Sequence, residues 1–180
     1  MSHQKTNGSL PHRSRADCES DLPALHEALQ RLPSGLFVLT ASHDQTRSGV
    51  LVRWVQPCGI EPPQIMVCLR TGVAIEPLMR DSRRFAVCQI DGDDRFLRRK
   101  FAQLPAHDDD PFVSVPLLDT DGPAPIPARA MSYMDCELVR HVDIDSDCGI
   151  YIGRILTAAT IQPGDPAVVY NSEGWPIDER

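Results

Sequence analysis

Gly49-Val50-Leu51-Val52-Arg53-Trp54-Val55-Gln56-Pro57-Cys58-Gly59-Ile60-Glu61-Pro62-Pro63 decides how the rest of the chain is read. From Gly49 to Gln56 the side chains alternate, with Val50, Val52, Trp54 and Gln56 on one face and Leu51, Arg53 and Val55 on the other, the period of a β-strand. Pro57 has no N–H and is expected to end the ladder. Gly59 gives the Cys58–Glu61 segment backbone conformations closed to other residues, so its main-chain N–H groups can turn toward a ligand. Pro62-Pro63 then stiffens the return into an apolar strand, Ile65-Met66-Val67-Cys68-Leu69.

Working outward, four apolar runs of strand length appear: Leu36 to Ala41, Gly49 to Gln56, Gln64 to Arg70 and Phe85 to Ile90. Turn residues or a short helical piece, Ala74 to Arg80, separate them. Upstream, Leu22, Leu25, Leu29 and Leu32 repeat at helical spacing in a helix from Leu22 to Leu32, capped by Ser20 or Asp21 and stopped by Pro33-Ser34-Gly35. Downstream, Asp91 to Leu104 reads as a helix, acidic at its start, basic near its end at Arg98, Arg99 and Lys100, and buried through Phe96, Leu97, Phe101 and Leu104. Pro105 to Pro127 is loop-like, with a short strand at Phe112 to Val115. Two long strands, Ala130 to Val142 and Gly149 to Ile161, and a short one, Ala167 to Tyr170, complete the pattern. About six strands with a few short helices, no β-α-β rhythm and no G-x-G-x-x-G predict a mainly β fold, a closed antiparallel barrel.

Composition narrows the function. A chain of 180 residues, 42% hydrophobic, accommodates one domain with a real core. We expect that domain over residues 22–176, between a disordered N-terminal tail (1–21) and a short C-terminal tail (177–180). No apolar run approaches the roughly 20 residues of a membrane helix, and the first twenty residues lack the apolar core of a secretory signal. No membrane association is expected, and cytoplasm is the default compartment. A formal charge of −7 argues against a nucleic-acid partner, so any anionic cofactor has to be held by local charge. The six cysteines form no C-x-x-C pair and read as reduced thiols.

In order and spacing, several motifs resemble the flavin reductase-like family. They are Leu32-Pro33-Ser34-Gly35-Leu36-Phe37-Val38-Leu39-Thr40, the Ile60-Glu61-Pro62-Pro63-Gln64-Ile65 turn, Arg84-Phe85-Ala86-Val87 and Lys100-Phe101-Ala102. The resemblance covers Leu25 to Trp175 and implies an FMN-binding split β-barrel that dimerises with flavin near the subunit interface. Val52-Arg53-Trp54-Val55-Gln56 is similar to the modules attached to diflavin and rubredoxin-linked flavoproteins. Carried over by position, Leu51, Val52, Arg53, Trp54, Val55 and Gln56, with Cys58 and Gly59, would line the isoalloxazine ring. Arg70, Thr71, Gly72, Val73 and Ala74 would hold the phosphate end, with Arg99 adding charge. The implied activity is hydride transfer from NAD(P)H to FMN, or FAD in its place, with electrons passed to free flavin or a redox partner protein. The implied assembly is a homodimer.

That chemistry suits the residues: a flavin needs an apolar slot, N–H donors near N1, O2 and N5, and a cationic or helix-N-terminal phosphate site. Thr71-Gly72 before the Ala74 helix offers the last. Two readings stand for Arg53 and Trp54, as ligand contacts or as core Trp with a cross-sheet Arg. Thr71 and Gly72 equally fit an ordinary turn, and Arg98, Arg99 and Lys100 a solvated helix end. The chain departs from the family at three positions. Cys148, in Ser146-Asp147-Cys148-Gly149, stands where many members carry a His facing the nicotinamide, Arg53 replaces a small hydroxyl residue, and Arg154 an acidic one. Cys cannot supply a cationic donor at neutral pH, so no catalytic residue is assigned, and a flavin-binding electron-relay or interaction module without NAD(P)H oxidation is the alternative. No metal is expected, because Cys136 and His141, five residues apart, point to opposite faces of a strand, and His141, Asp143 and Asp145 read as a polar strand end.

Overall fold

The computed structural model describes residues 27–29, 31–103 and 110–170. The expected tails at 1–21 and 177–180, most of the Leu22–Leu32 helix and Leu104 lie outside these residues; 27–29 are helical. The described strands are β1 (Pro33–Gly35), β2 (Phe37–His43), β3 (Thr46–Val52), β4 (Val55–Ile60), β5 (Pro63–Arg70), β6 (Arg84–Gln89), β7 (Leu117–Leu118), β8 (Ile126–Pro127), β9 (Ser132–Asp143), β10 (Cys148–Thr160) and β11 (Val168–Tyr170). Helix α1 (Ile75–Ser82) lies between β5 and β6, and α2 (Arg95–Ala102) between β6 and β7.

Seven strands form one antiparallel sheet in the order β3-β2-β6-β9-β10-β5-β4. Its two outermost strands, β3 and β4, are consecutive in the chain and joined only by Arg53 and Trp54. Three residue steps span at most about 11 Å, so the two edges of the sheet have to meet at this connection. The sheet therefore curls into an antiparallel barrel, split at a seam where β3 and β4 leave the Arg53-Trp54 link without pairing.

Alternation fills the inside. Leu39 and Ala41 of β2, Val50 and Val52 of β3, Ile65, Val67 and Leu69 of β5, and Phe85 and Val87 of β6 form one buried cluster with Leu138 and Tyr151. Helix α1 closes one end of the barrel through Ile75 and Met79. A second cluster covers the outer face of β2 and β6, where Val38, Ala86 and Cys88 pack under Leu97 and Phe101 of α2 and under Phe112 and Ile126. Gly49 admits this layer, since a Cβ there would lie 2.7 Å from the Phe101 ring.

Five expectations need correction. The Gly49–Gln56 strand is broken at Arg53-Trp54, where the chain crosses from one sheet edge to the other; the apolar series Val50, Val52, Val55 carries the slip as a step of three. Pro57 does not end the ladder, and Cys58 to Ile60 are not released from it: β4 runs to Ile60 along β5 with a bulge between Pro57 and Gly59. Proline is tolerated there because β4 is an edge strand. The helix begins at Arg95, because Asp94 caps it by accepting from the Phe96 and Leu97 N–H groups at 3.0 Å, while Asp91 accepts the Asp93 N–H. Phe96, expected in the buried face, is 41% exposed, with the Arg129 guanidinium over its ring. Phe112 to Val115 is a turn rather than a strand, and the short strands of this region are β7 and β8, paired with each other. The i, i+3 spacing of Phe112 and Val115 lets a turn present both to the second core.

A polar chain crosses the α1 end of the barrel. The Tyr151 hydroxyl donates to Glu76 Oε1, and Glu76 Oε2 accepts the Gly72 N–H at 2.7 Å. The His141 ring stacks on Tyr151 with centroids 4.3 Å apart. Burial, then the hydrogen bond and charge of Glu76, hold the Tyr151 phenol well above the usual tyrosine range.

Two predictions follow from this packing. A Gly153→Ala Cβ would stand 2.4 Å from Phe85 Cζ and 2.9 Å from Cys136 Cβ. Overpacking there is expected to lower stability by about 1–3 kcal/mol in urea titrations, and an unchanged midpoint would contradict this core. Tyr151→Phe leaves Glu76 Oε1 without its donor, which costs about 1–3 kcal/mol at neutral pH. Because the folded phenol titrates above the unfolded one, its contribution is complete below about pH 10 and fades as pH rises further. The variant should therefore lose stability less steeply than the wild type at alkaline pH, and parallel profiles would refute the assignment.

Candidate functional site at the barrel seam

The seam is built from the inside outward. Val52 and Val55 point into the barrel and anchor the two ends of the connection. Between them the Val55 N–H donates to the Arg53 carbonyl at 3.1 Å, a tight turn centred on Trp54. The Trp54 carbonyl accepts the Cys68 N–H at 2.9 Å, which pins the turn to β5 two residues before Arg70. Arg53 and Trp54 are half-buried.

At the end of β5 the chain turns through Arg70, Thr71 and Gly72, all exposed, into Val73, Ala74 and α1. Gly72 has φ of 84°, the left-handed region where glycine is favoured. Thr71 donates through its N–H (2.9 Å) and its Oγ1 (3.1 Å) to the Asp147 carbonyl, and Cys148 stands opposite Arg70 in the β5–β10 register. The Trp54 backbone, Cys68, Arg70 to Gly72 and the buried Cys148 thus gather at the same end of β5.

Other expected residues fall elsewhere. Leu51 faces outward into the second core, so toward a ligand it offers backbone alone. β4 runs antiparallel to β5, carrying Gln56 and Cys58 away from the turn on an exposed strand. Gly59 pairs with Gln64, six residue steps from Arg70, or roughly 20 Å along the strand. Cys58-Gly59 and Thr71-Gly72 therefore sit toward opposite ends of β5. Arg99 is exposed on α2, which packs over β3 in the outer layer.

The donor set fits a flavin, with a shift in the groups that would serve it. The Val55 N–H is occupied within its turn, the Thr71 N–H by Asp147, and the Gly72 N–H by the Glu76 carboxylate. Val73 and Ala74 at the N-terminus of α1, with the exposed Arg70 a few residues before them in the chain, remain as the elements suited to a phosphate. The Arg53-Trp54 link between β3 and β4, floored by Val52 and Val55, suits the edge of a flat apolar ring. Cys148 is a neutral thiol: burial, then the neighbouring Cys68 and Asp147, push it up to about 11. Burial also raises Cys68.

Sequence reasoning missed Glu76, Tyr151, Cys68 and Asp147. Glu76 was accessible as an acid four residues after Gly72 at a helix start, whereas the others depend on strand register. Among the described residues a separate surface cleft of about 310 Å³ lies between the β2–β3 hairpin and the 117–125 segment, lined by Ser42, Thr46, Arg47, Leu118 and Pro123 among others. It contains none of the expected site residues. No helix of the described residues is long and apolar enough to cross a membrane.

Comparison with known proteins gives this geometry its context. A protein of Nostoc sp. bearing the name diflavin flavoprotein A 3 is 31% identical over 128 residues, covering 71% of this chain and 22% of its own length. The chain spans about a quarter of the length of the curated relatives it matches. The fold is shared with the NADH:FAD oxidoreductase SgcE6 of Streptomyces globisporus, with TM-score 0.75, 18% identity and coverage of 89% of this chain and 94% of that one. It is shared too with the styrene monooxygenase flavin reductase of Pseudomonas putida S12, with TM-score 0.69, 23% identity and coverage of 82% and 93%. These agree with the split barrel and with the resemblance to modules of diflavin proteins. The family model for the flavin reductase like domain matches residues 29–175, and the chain belongs to that family.

Proposed function

We propose that this domain binds FMN at the barrel seam and acts as a flavin-dependent oxidoreductase, accepting hydride from NAD(P)H and passing electrons to free flavin or a partner protein. The observation that carries the reading is the hydrogen bond from Cys68 N–H to the Trp54 carbonyl. It brings the segment suited to the ring against the turn suited to the phosphate. Diflavin proteins and an NADH:FAD oxidoreductase among the relatives and fold neighbours support the same chemistry.

The bound flavin would supply the hydride-accepting centre. The chain's own residues do the rest. Val52 and Val55 exclude water beneath the ring, the Arg53–Trp54 backbone sets its edge, and Arg70 with the N-terminus of α1 neutralises the phosphate. A homodimer is supported by β10, which continues from Ile155 to Thr160 beyond Arg154, the last of its residues paired with β5, leaving an exposed, uncharged strand edge suited to a second copy.

Cys148 favours a second reading, an electron-relay module that holds flavin without oxidising NAD(P)H, because a neutral thiol cannot replace a protonated imidazole. FMN fluorescence titration combined with steady-state NADH and NADPH oxidation separates the two. Quenching with turnover is the expected result; quenching without turnover selects the relay, and absence of quenching overturns both. Arg70→Ala is expected to weaken FMN roughly tenfold, the loss of one charge-assisted contact of about 1.5 kcal/mol, while leaving riboflavin affinity unchanged. Equal weakening of both ligands would remove Arg70 from the phosphate site.

A further inference from the structure

Cys68 and Cys148 lie on neighbouring antiparallel strands. Cys148 is in register with Arg70 and Cys68 with Ile150, so the two cysteines are diagonal neighbours on the sheet face opposite the Val67, Leu69 and Tyr151 side chains. Each thiol raises or lowers the other's titration, and Asp147 beside them raises both. Cys68 is partly exposed, whereas Cys88 and Cys136 are sealed in the two cores. Diagonal strand neighbours have Cα atoms about 7–8 Å apart, and a disulfide needs about 7 Å or less, so closure takes a shift of about an ångström. Cys148 can make it, as the first residue of β10 after an exposed turn, Ile144 to Asp147.

We propose that Cys68 and Cys148 form a redox-active dithiol that closes to an intramolecular disulfide by exchange with a small-molecule disulfide. The Cys68 thiolate attacks one sulfur of the reagent, whose S–S bond breaks; half of it leaves as a thiolate and takes up a proton. The Cys148 thiolate then attacks the Cys68 sulfur of the mixed disulfide and expels the second half in the same way. The two protein thiols give up two protons and two electrons, and the reagent gains them as two thiols. Burial opposes both thiolates, yet the product is uncharged, so the same burial that slows the reaction at neutral pH does not penalise its product. Neither step involves bound flavin, although the two cysteines border the surface proposed for it.

The test treats reduced, flavin-free protein with oxidised glutathione, blocks remaining thiols with iodoacetamide, and maps peptides by mass spectrometry without reductant. The expected product has lost two hydrogens, joins the Cys68 peptide to the Cys148 peptide, and reverts with dithiothreitol. In Cys148→Ser the glutathione should stay on Cys68, because nothing displaces it. A wild-type protein that keeps glutathione on Cys68 with Cys148 still alkylatable, or that leaves both thiols alkylatable, overturns the proposal. The wild-type map decides this alone should the variant fail to fold.

Discussion

A two-residue link between the first and last strands of a seven-stranded sheet is the constraint on which this structure depends. β3 and β4 are neighbours in sequence and opposite edges in pairing, so the sheet closes or the chain breaks. Closure without pairing leaves β3 and β4 joined only at the Arg53-Trp54 link, over a floor of Val52 and Val55. Exposed edges elsewhere in proteins are liabilities to be blunted, and Pro57 on β4 serves that end here. At the seam the same unpaired edges become the feature that suits a planar ligand.

The second organising interaction is the buried carboxylate of Glu76. It receives the Tyr151 hydroxyl from the barrel wall and the Gly72 N–H from the turn, tying α1, β10 and the end of β5 to one side chain. A buried acid without donors would be costly, and two donors make it a strut. It also places a negative charge against Gly72, which moves the favourable position for an anion toward Val73, Ala74 and Arg70.

Much of this was legible in the sequence, and the parts that were not have a common physical origin. Strand positions followed from period-2 alternation, which is local, and α1 was anticipated at Ala74 to Arg80 against the observed Ile75–Ser82. The break at Arg53-Trp54 was hidden because both segments are strand and only the barrel's closure requires the chain to change edges. The acidic run at Asp91 to Asp94 read as helix, whereas capping and turn bonds use those side chains just outside it. At the site, the Trp54 turn and Arg70, Thr71 and Gly72 lie toward the same end of β5. Cys58, Gly59 and Arg99 did not join them, since their distance depends on strand direction and on the layer to which α2 belongs. The Cys68–Cys148 contact needs the β5–β10 register, which one sequence does not carry.

The family's barrel is thus retained here, with an arginine at the seam and two thiols, Cys68 and Cys148, on adjoining strands at its mouth. Amide chemical-shift mapping of the isotopically labelled protein during FMN titration tests the central claim most directly. The account predicts the largest shifts at Val52 to Val55, Cys68 to Ala74 and Cys148. Shifts confined to Ser42 to Arg47 and Leu117 to Pro125, the cleft on the hairpin side, would contradict it.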